Sequence, residues 1–393
     1  MKLPITEIID PGPLKISGRL TQILYSLAGL GLIVFILGLI VAPQKVFYNF
    51  LIQYFFFICL ALAGMFFIAL HHLTNSTWST VIKRVPEGMS AYILPAAMGS
   101  IIIFIGASRL YSWLAGDFHA QPAKEIYLSL PWFIVRTVLF LLIWFIFSRL
   151  ITKRYPVPTG APADKPAAMT IKLSAAFMII FALTFTLFSF DLLMSLKPDW
   201  YSTIFGVYCF AGLFQSGLAL ITILTIAAHR VGGFGNTLHE SHLKDLGTLL
   251  FAFTIFWGYI GFAQFMLIWY GNMPEEISFF MMRMHNGWQW LTLTLPFLKF
   301  LIPFFMILSQ PAKKNQNIMI AASALIIIGQ WLDIYWLVVP NFSESPYLPG
   351  WIEIGIAAGF VGVFGLSLVS FFKKHSLVPT GDPRILASAN WRQ

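Results

Sequence analysis

An all-α integral membrane protein that crosses the bilayer ten times is the fold class this sequence predicts, and three observations predict it. Of its 393 residues 58% are hydrophobic and only 10% are charged. Its mean hydropathy, +0.78, lies far above that of a water-soluble globule. Its apolar residues gather into ten runs, each about as long as the ~20 residues a helix needs to cross the hydrocarbon core. Such runs are too long and too uniform for barrel strands, and helices satisfy their own backbone in lipid. The expectation is one polytopic membrane domain over 1–393, with no lobe outside the bilayer.

Taken in order, the run at 20–41 follows a polar, Pro- and Gly-containing segment (1–19) that has no cleavable-signal pattern. The second run, 46–72, ends on His71 and His72; the third covers 90–113. The fourth, 127–150, carries Arg136, and the fifth, 172–193, carries Asp191 at a similar depth. The two are expected either to pair or to leave Arg136 reaching the headgroups alone. Between these runs "RYPVPTGAPADKPAAM" (154–169), the longest loop, reads as an irregular connector. The sixth run, 202–228, is entered through "FDLLMSLKPDWYSTIFG" (190–206), a corner rich in charges and aromatics. There Pro198 and Asp199 are expected to start the helix, Ser202 and Thr203 to satisfy first-turn donors, and Trp200 and Tyr201 to anchor it at the interface.

The seventh run, 247–270, follows "HRVGGFGNTLHESHLKDLG" (229–247), which holds His239, His242 and Asp245. This histidine and carboxylate cluster, with His71 and His72, reads as a solvated loop or as a set of proton-loading groups. The HxxH spacing of His239 and His242 lacks a nearby third ligand, so no metal site is expected. The eighth run, 286–308, carries Lys299 between Pro296 and Pro303. A charge there costs roughly 2.5–3.5 kcal/mol on insertion scales. Pro303 cannot donate to the carbonyl of Lys299, so the ammonium is expected to use such orphaned carbonyls or to serve a proton relay. The ninth run, 317–339, holds Asp333, and the tenth, 350–372, holds Glu353. With Gln330 and Gln264 these read either as a proton exit or as interfacial groups wetted from above. Gly355 and Gly359 of the tenth run have the small-xxx-small spacing that lets helices approach closely. No internal repeat is evident.

Eighteen of the 25 Lys and Arg residues fall on the side shared by both termini, five on the other, and Arg136 and Lys299 inside runs. The positive-inside rule then places the segment 1–19 and the tail 373–393 in the cytoplasm. The +9 net charge is therefore a topology signal and not a nucleic-acid footprint. Cys59 and Cys209 are the two cysteines, no CxxC or CxxCH exists, and no histidine lies deep in a run, so the chain is expected to ligate no iron–sulfur cluster or haem. P-loop, Rossmann and nucleophile-elbow motifs are absent.

"FDLLMSLKPDWYSTIFGVYCFAG" and "HLKDLGTLLFAFTIFWGYIGFAQFMLIWYGNMPEE" resemble the membrane subunits of the NrfD family, and most closely the smaller, second NrfD-like subunit of bacterial alternative complex III. The resemblance extends over about residues 20–375. It implies two four-helix bundles, helices 2–5 and 6–9, with the first and last helices outside. It implies a bacterial inner-membrane quinol:electron acceptor oxidoreductase complex, active in respiration or photosynthesis. The partners implied are a larger NrfD-like paralogue, an iron–sulfur subunit, multihaem and monohaem cytochromes c and small membrane subunits, with structural phospholipids around them. The larger paralogue typically reads "WHSTIFPPYF" at the corner, where this chain has Trp200-Tyr201 and Gly206-Val207. This chain is accordingly expected to be an accessory subunit that binds no cofactor, giving support and a proton path through Lys299, Asp191, Asp333, Glu353, Arg136, His239, His242, Asp245, His71 and His72. Two alternatives stay open: direct quinol binding by Asp191, Arg136, Trp200 and Tyr201, and a stand-alone secondary transporter.

Overall fold

The computed structural model describes residues 8–114, 122–153 and 168–392. His119, Lys2, Arg154, Lys165 and the 154–169 connector up to residue 167 lie outside them. Among the described residues ten helices have the length and apolarity to cross a membrane. They are α1 (Gly18–Val41), α2 (Pro43–Leu73), α3 (Arg84–Ile105), α4 (Leu130–Thr152), α5 (Ala168–Leu196), α6 (Phe205–Arg230), α7 (Glu240–Gly271), α8 (Trp288–Met306), α9 (Gln316–Asn341) and α10 (Trp351–Phe372). Among the described residues there is no β-strand, only an isolated bridge between Pro13 and Ser376. Helix ends fall within a few residues of the predicted runs, except that α7 begins earlier and α3 both begins and ends earlier, stopping at Ile105 where the predicted run reaches 113. At α3 the charged start is tolerated because Arg84 and Glu87 pair with each other and are buried.

Helices α2 to α5 close into one four-helix ring and α6 to α9 into a second. The rings join where α2 packs on α6 and α9, and α5 on α6. Helix α10 lies against α2, and α1 lies against α10, outermost. The α1–α10 seam is built of small residues. A Cβ on Gly359 would sit 2.9 Å from the Cα of Gly31, and one on Gly362 would sit 2.5 Å from the backbone nitrogen of Ala28. Backbone-to-backbone contact of this kind is what holds helices together where lipid supplies no hydrophobic drive.

The C-terminal tail folds back across the face that carries both termini. Asp382 pairs with Lys83 and Arg384. Ser388 donates to the carbonyl of Trp78 and accepts from the amide of Val81, all in the α2–α3 connection. Its carbonyl meets His242 Nε2, and Trp391 donates to Asp245, both on α7. The tail thus straps one bundle to the other. Burial raises the pKa of the Asp382 carboxyl, but Lys83 and Arg384 outweigh it and hold it well below its ordinary 3.8. A depressed carboxyl contributes stability that is complete above its unfolded pKa and is lost as pH falls through the folded one. The strap is therefore expected to be intact above about pH 5 and to loosen progressively below its ordinary 3.8. Cleavage of residues 376–392 by an acid-active protease should increase over that range, and Asp382→Asn should release the tail at neutral pH.

Candidate functional site

Lys299 marks the candidate site. Pro303 removes the amide that would bond the Lys299 carbonyl, and the chain responds with a π-helical turn at Phe297–Leu301. The freed carbonyl accepts from Gln215 Nε2 at 2.7 Å. The wider turn directs the Lys299 side chain at α9, where Gly329 makes room: a Cβ there would lie 2.5 Å from Lys299 Cγ. The ammonium is fully buried and donates to Asp333 Oδ2 at 2.6 Å and Gln330 Oε1 at 2.5 Å. It lies 4.0 Å from the centre of the Trp257 ring. Asp333 Oδ1 accepts from the Tyr208 hydroxyl at 2.5 Å. One side chain from each helix of the second bundle (Tyr208 of α6, Trp257 of α7, Lys299 of α8 and Asp333 of α9) therefore meets in one polar knot.

This corrects two expectations. The Lys299 ammonium is held by a carboxylate and an amide, because the nearest orphaned carbonyl is already taken by Gln215. Asp333 and Glu353 do not form one exit with Gln330 and Gln264. Asp333 and Gln330 turn inward to Lys299, Gln264 Nε2 donates to Ser202 Oγ at 3.3 Å, and Glu353 belongs to a separate cluster. There Glu353 is buried, accepting from Lys45 Nζ at 3.0 Å, Asn49 Nδ2 at 3.2 Å and the amide of Gly350 at 2.8 Å.

Arg136 and Asp191 do pair, by a two-pronged bridge with both bonds at 2.9 Å. Arg136 also donates to the Tyr127 carbonyl and lies 3.9 Å over the Tyr127 ring. The two bundles thus repeat one arrangement: a cation on the third helix, a carboxylate on the fourth and an aromatic ring under the cation. The sequence hides the repeat because the cation differs and the pairs are 55 and 34 residues apart. Arg136→Lys would keep the charge but lose the fork, and should cost about 1.5–3 kcal/mol, read as a lower thermal unfolding midpoint in detergent.

His71, His72 and His242 are buried, and His239 is half-buried. His71 Nδ1 lies 2.7 Å from the Phe67 carbonyl, with its ring on Phe67 and Trp78. His72 bonds Ser174, and both histidines are buried. His239 starts α7: its amide donates to His242 Nδ1 at 3.0 Å, which leaves the His242 proton on Nε2 for Ser388. The HxxH spacing is a helix start covered by the tail. Among the described residues no three His, Cys, Asp or Glu side chains gather as a metal cluster would require.

At the corner, α6 begins at Phe205 with Ile204 as its N-cap and no side-chain cap bond, so Asp199, Ser202 and Thr203 do not start the helix. Trp200 is buried, donating to the Glu276 carbonyl and stacking on Phe279 of the short helix Pro274–Met281, whereas Tyr201 is exposed. With Lys124, Tyr127, Phe190 and Met194 these two line a cavity of ≈ 140 Å³, smaller than the roughly 300–1,000 Å³ of ordinary ligand sites. Arg136 and Asp191 are engaged with each other and do not line it.

Tyr208, Trp257, Gln215 and Arg283 escaped the sequence reading. Arg283 is fully buried beyond α7, donating to the carbonyls of Phe279, Trp336 and Leu337, so it places a positive charge on the C-terminal end of α9. A polar residue amid aromatic runs was the available signal, but Tyr and Trp are common in any span.

No protein-family profile matches the chain. A protein of Nitratidesulfovibrio vulgaris, described only as "Protein", is 24% identical over 171 residues. The match covers 42% of this chain and 43% of that protein, so the chain spans less than half of that relative's length.

Proposed function

We propose that this chain is a membrane subunit of a quinol:electron acceptor oxidoreductase of the alternative complex III kind, giving structural support and carrying protons through its second bundle. The NrfD-like stretches at 190–212 and 242–276 support the complex. The buried Lys299–Asp333 pair is the single observation that supports the proton role. A titratable cation and carboxylate, fully enclosed and bonded to Tyr208 and Gln330, can exchange a proton with little movement. The matching site in the first bundle holds Arg136, whose fork binds Asp191 at both of its oxygens, so protons are expected to use the second bundle. On the terminal-face side of Lys299, Gln215 Oε1, Thr225 Oγ1 and Ser323 Oγ are buried polar atoms without protein partners, and water can bridge such groups. The positive-inside count puts this face in the cytoplasm and the Glu353 end in the periplasm. Electrons are handled by the haem and iron–sulfur partners.

Lys299→Met in the purified complex, reconstituted in proteoliposomes, tests this reading. Quinol oxidation should continue while coupled proton movement falls at least tenfold. Full coupling in the variant would remove Lys299 from the path, and purification of the chain without haem-containing partners would favour a transporter.

A further inference from the structure

A second polar site lies across α9 from the ion pair. Gln330 faces Lys299, whereas the next residue, Trp331, faces α2 and donates its indole N–H to Gln53 Oε1 at 3.1 Å. One turn away on α2, Asn49 donates through Nδ2 to the Lys45 carbonyl at 2.8 Å and to Glu353. Gln53 and Asn49 are four residues apart, so their side chains share one helix face. Both are essentially without solvent exposure, at 1% and 0%. Yet Gln53 Nε2, a donor, and Asn49 Oδ1, an acceptor, have no protein partner. Burying either unpaired costs about 1–3 kcal/mol. An unpaired donor and an unpaired acceptor side by side are what one water molecule satisfies, accepting from the first and donating to the second.

We propose that Asn49 and Gln53 hold an ordered internal water where α2, α9 and α10 meet, and that this water serves Glu353 as the last proton station before the far face. The second half rests on the proton role proposed above. Glu353 is built for such a station. Its side chain is fully covered, and its bridge partner Lys45 is about a third exposed, at 32%. The Lys45 ammonium also rests 4.4 Å over the Tyr347 ring, whose hydroxyl bonds that of Tyr48 at 2.8 Å. Displacement of Lys45 toward solvent opens the carboxylate. The water then passes one proton to Glu353 and is restored by one that the Lys299–Asp333 pair gives up, the pair being recharged from the terminal face, and Glu353 releases its proton to the bulk as Lys45 returns.

The site and the role are read separately. High-resolution density of the wild-type complex should hold a solvent peak within hydrogen-bonding distance of Asn49 Oδ1 and Gln53 Nε2. Radiolytic hydroxyl labelling should mark the half-buried Trp331 faster in the wild type than in Gln53→Leu. Gln53→Leu, which leaves the Lys45–Glu353–Asn49 set intact, should lose the peak and slow coupled proton movement at least tenfold. An empty site, with Trp331 labelled no faster in the wild type than in Gln53→Leu, overturns the water. A peak present in the wild type, with full proton movement in Gln53→Leu, overturns the release role. A wild-type complex that holds the peak but moves no protons supports the water site and overturns the proton reading of the whole chain.

Discussion

Lys299→Met is expected to cost about 3–5 kcal/mol of stability, because it leaves the Asp333 carboxylate enclosed without its cation. Asp333→Asn should cost a similar amount by stranding the ammonium between Gln330 and Trp257. The double variant Lys299→Met/Asp333→Leu removes both charges and should regain most of the loss, since a buried pair replaced by packed apolar groups is often neutral. Thermal unfolding in detergent reads all three. A double variant no more stable than the singles would mean that the charges do not neutralise one another. The comparison also separates structure from transport. The double variant should be stable but uncoupled, an outcome that a purely architectural Lys299–Asp333 pair would not produce.

Gly359→Leu is the second large effect expected. Its added side chain would drive into the backbone of α1 at Gly31, where even a Cβ comes within 2.9 Å of a backbone carbon. Backbone cannot move aside as a flexible side chain can, so overpacking here should exceed the usual 1–3 kcal/mol or so. The result should be separation of α1 from α10, read as lost disulfide cross-linking between cysteines placed along the two helices. The four-helix rings do not depend on this seam and should keep their own cross-links. A variant with undiminished α1–α10 cross-linking would show that the seam is not held by small residues.

Much of the architecture was legible in the sequence because the bilayer acts on composition. Ten runs meant ten helices, and the small residues at Gly355 and Gly359 announced a close seam without naming Gly31 as its partner. The Arg136–Asp191 bridge was readable because both charges lie near the same end of consecutive helices. The Lys299–Asp333 bridge was not, since Asp333 by position alone looked interfacial. Hydropathy also gave no hint that α2 is the central helix and α1 the outermost. Lipid tails are as apolar as leucine, so a helix packed in protein and one facing lipid need the same composition. Asn49 and Gln53 of α2 lie buried in that protein-filled surround.

Residue order alone sets what must be solved in lipid: the number of spans, the direction implied by their flanking charges, and which polar groups inside the spans demand partners. The identity of those partners comes from the packing of the helices. A span fixes a residue's depth, because rise per residue is constant along a helix. Its azimuth toward one neighbour or another depends on how all ten helices pack, and a hydrogen bond or ion pair needs both coordinates.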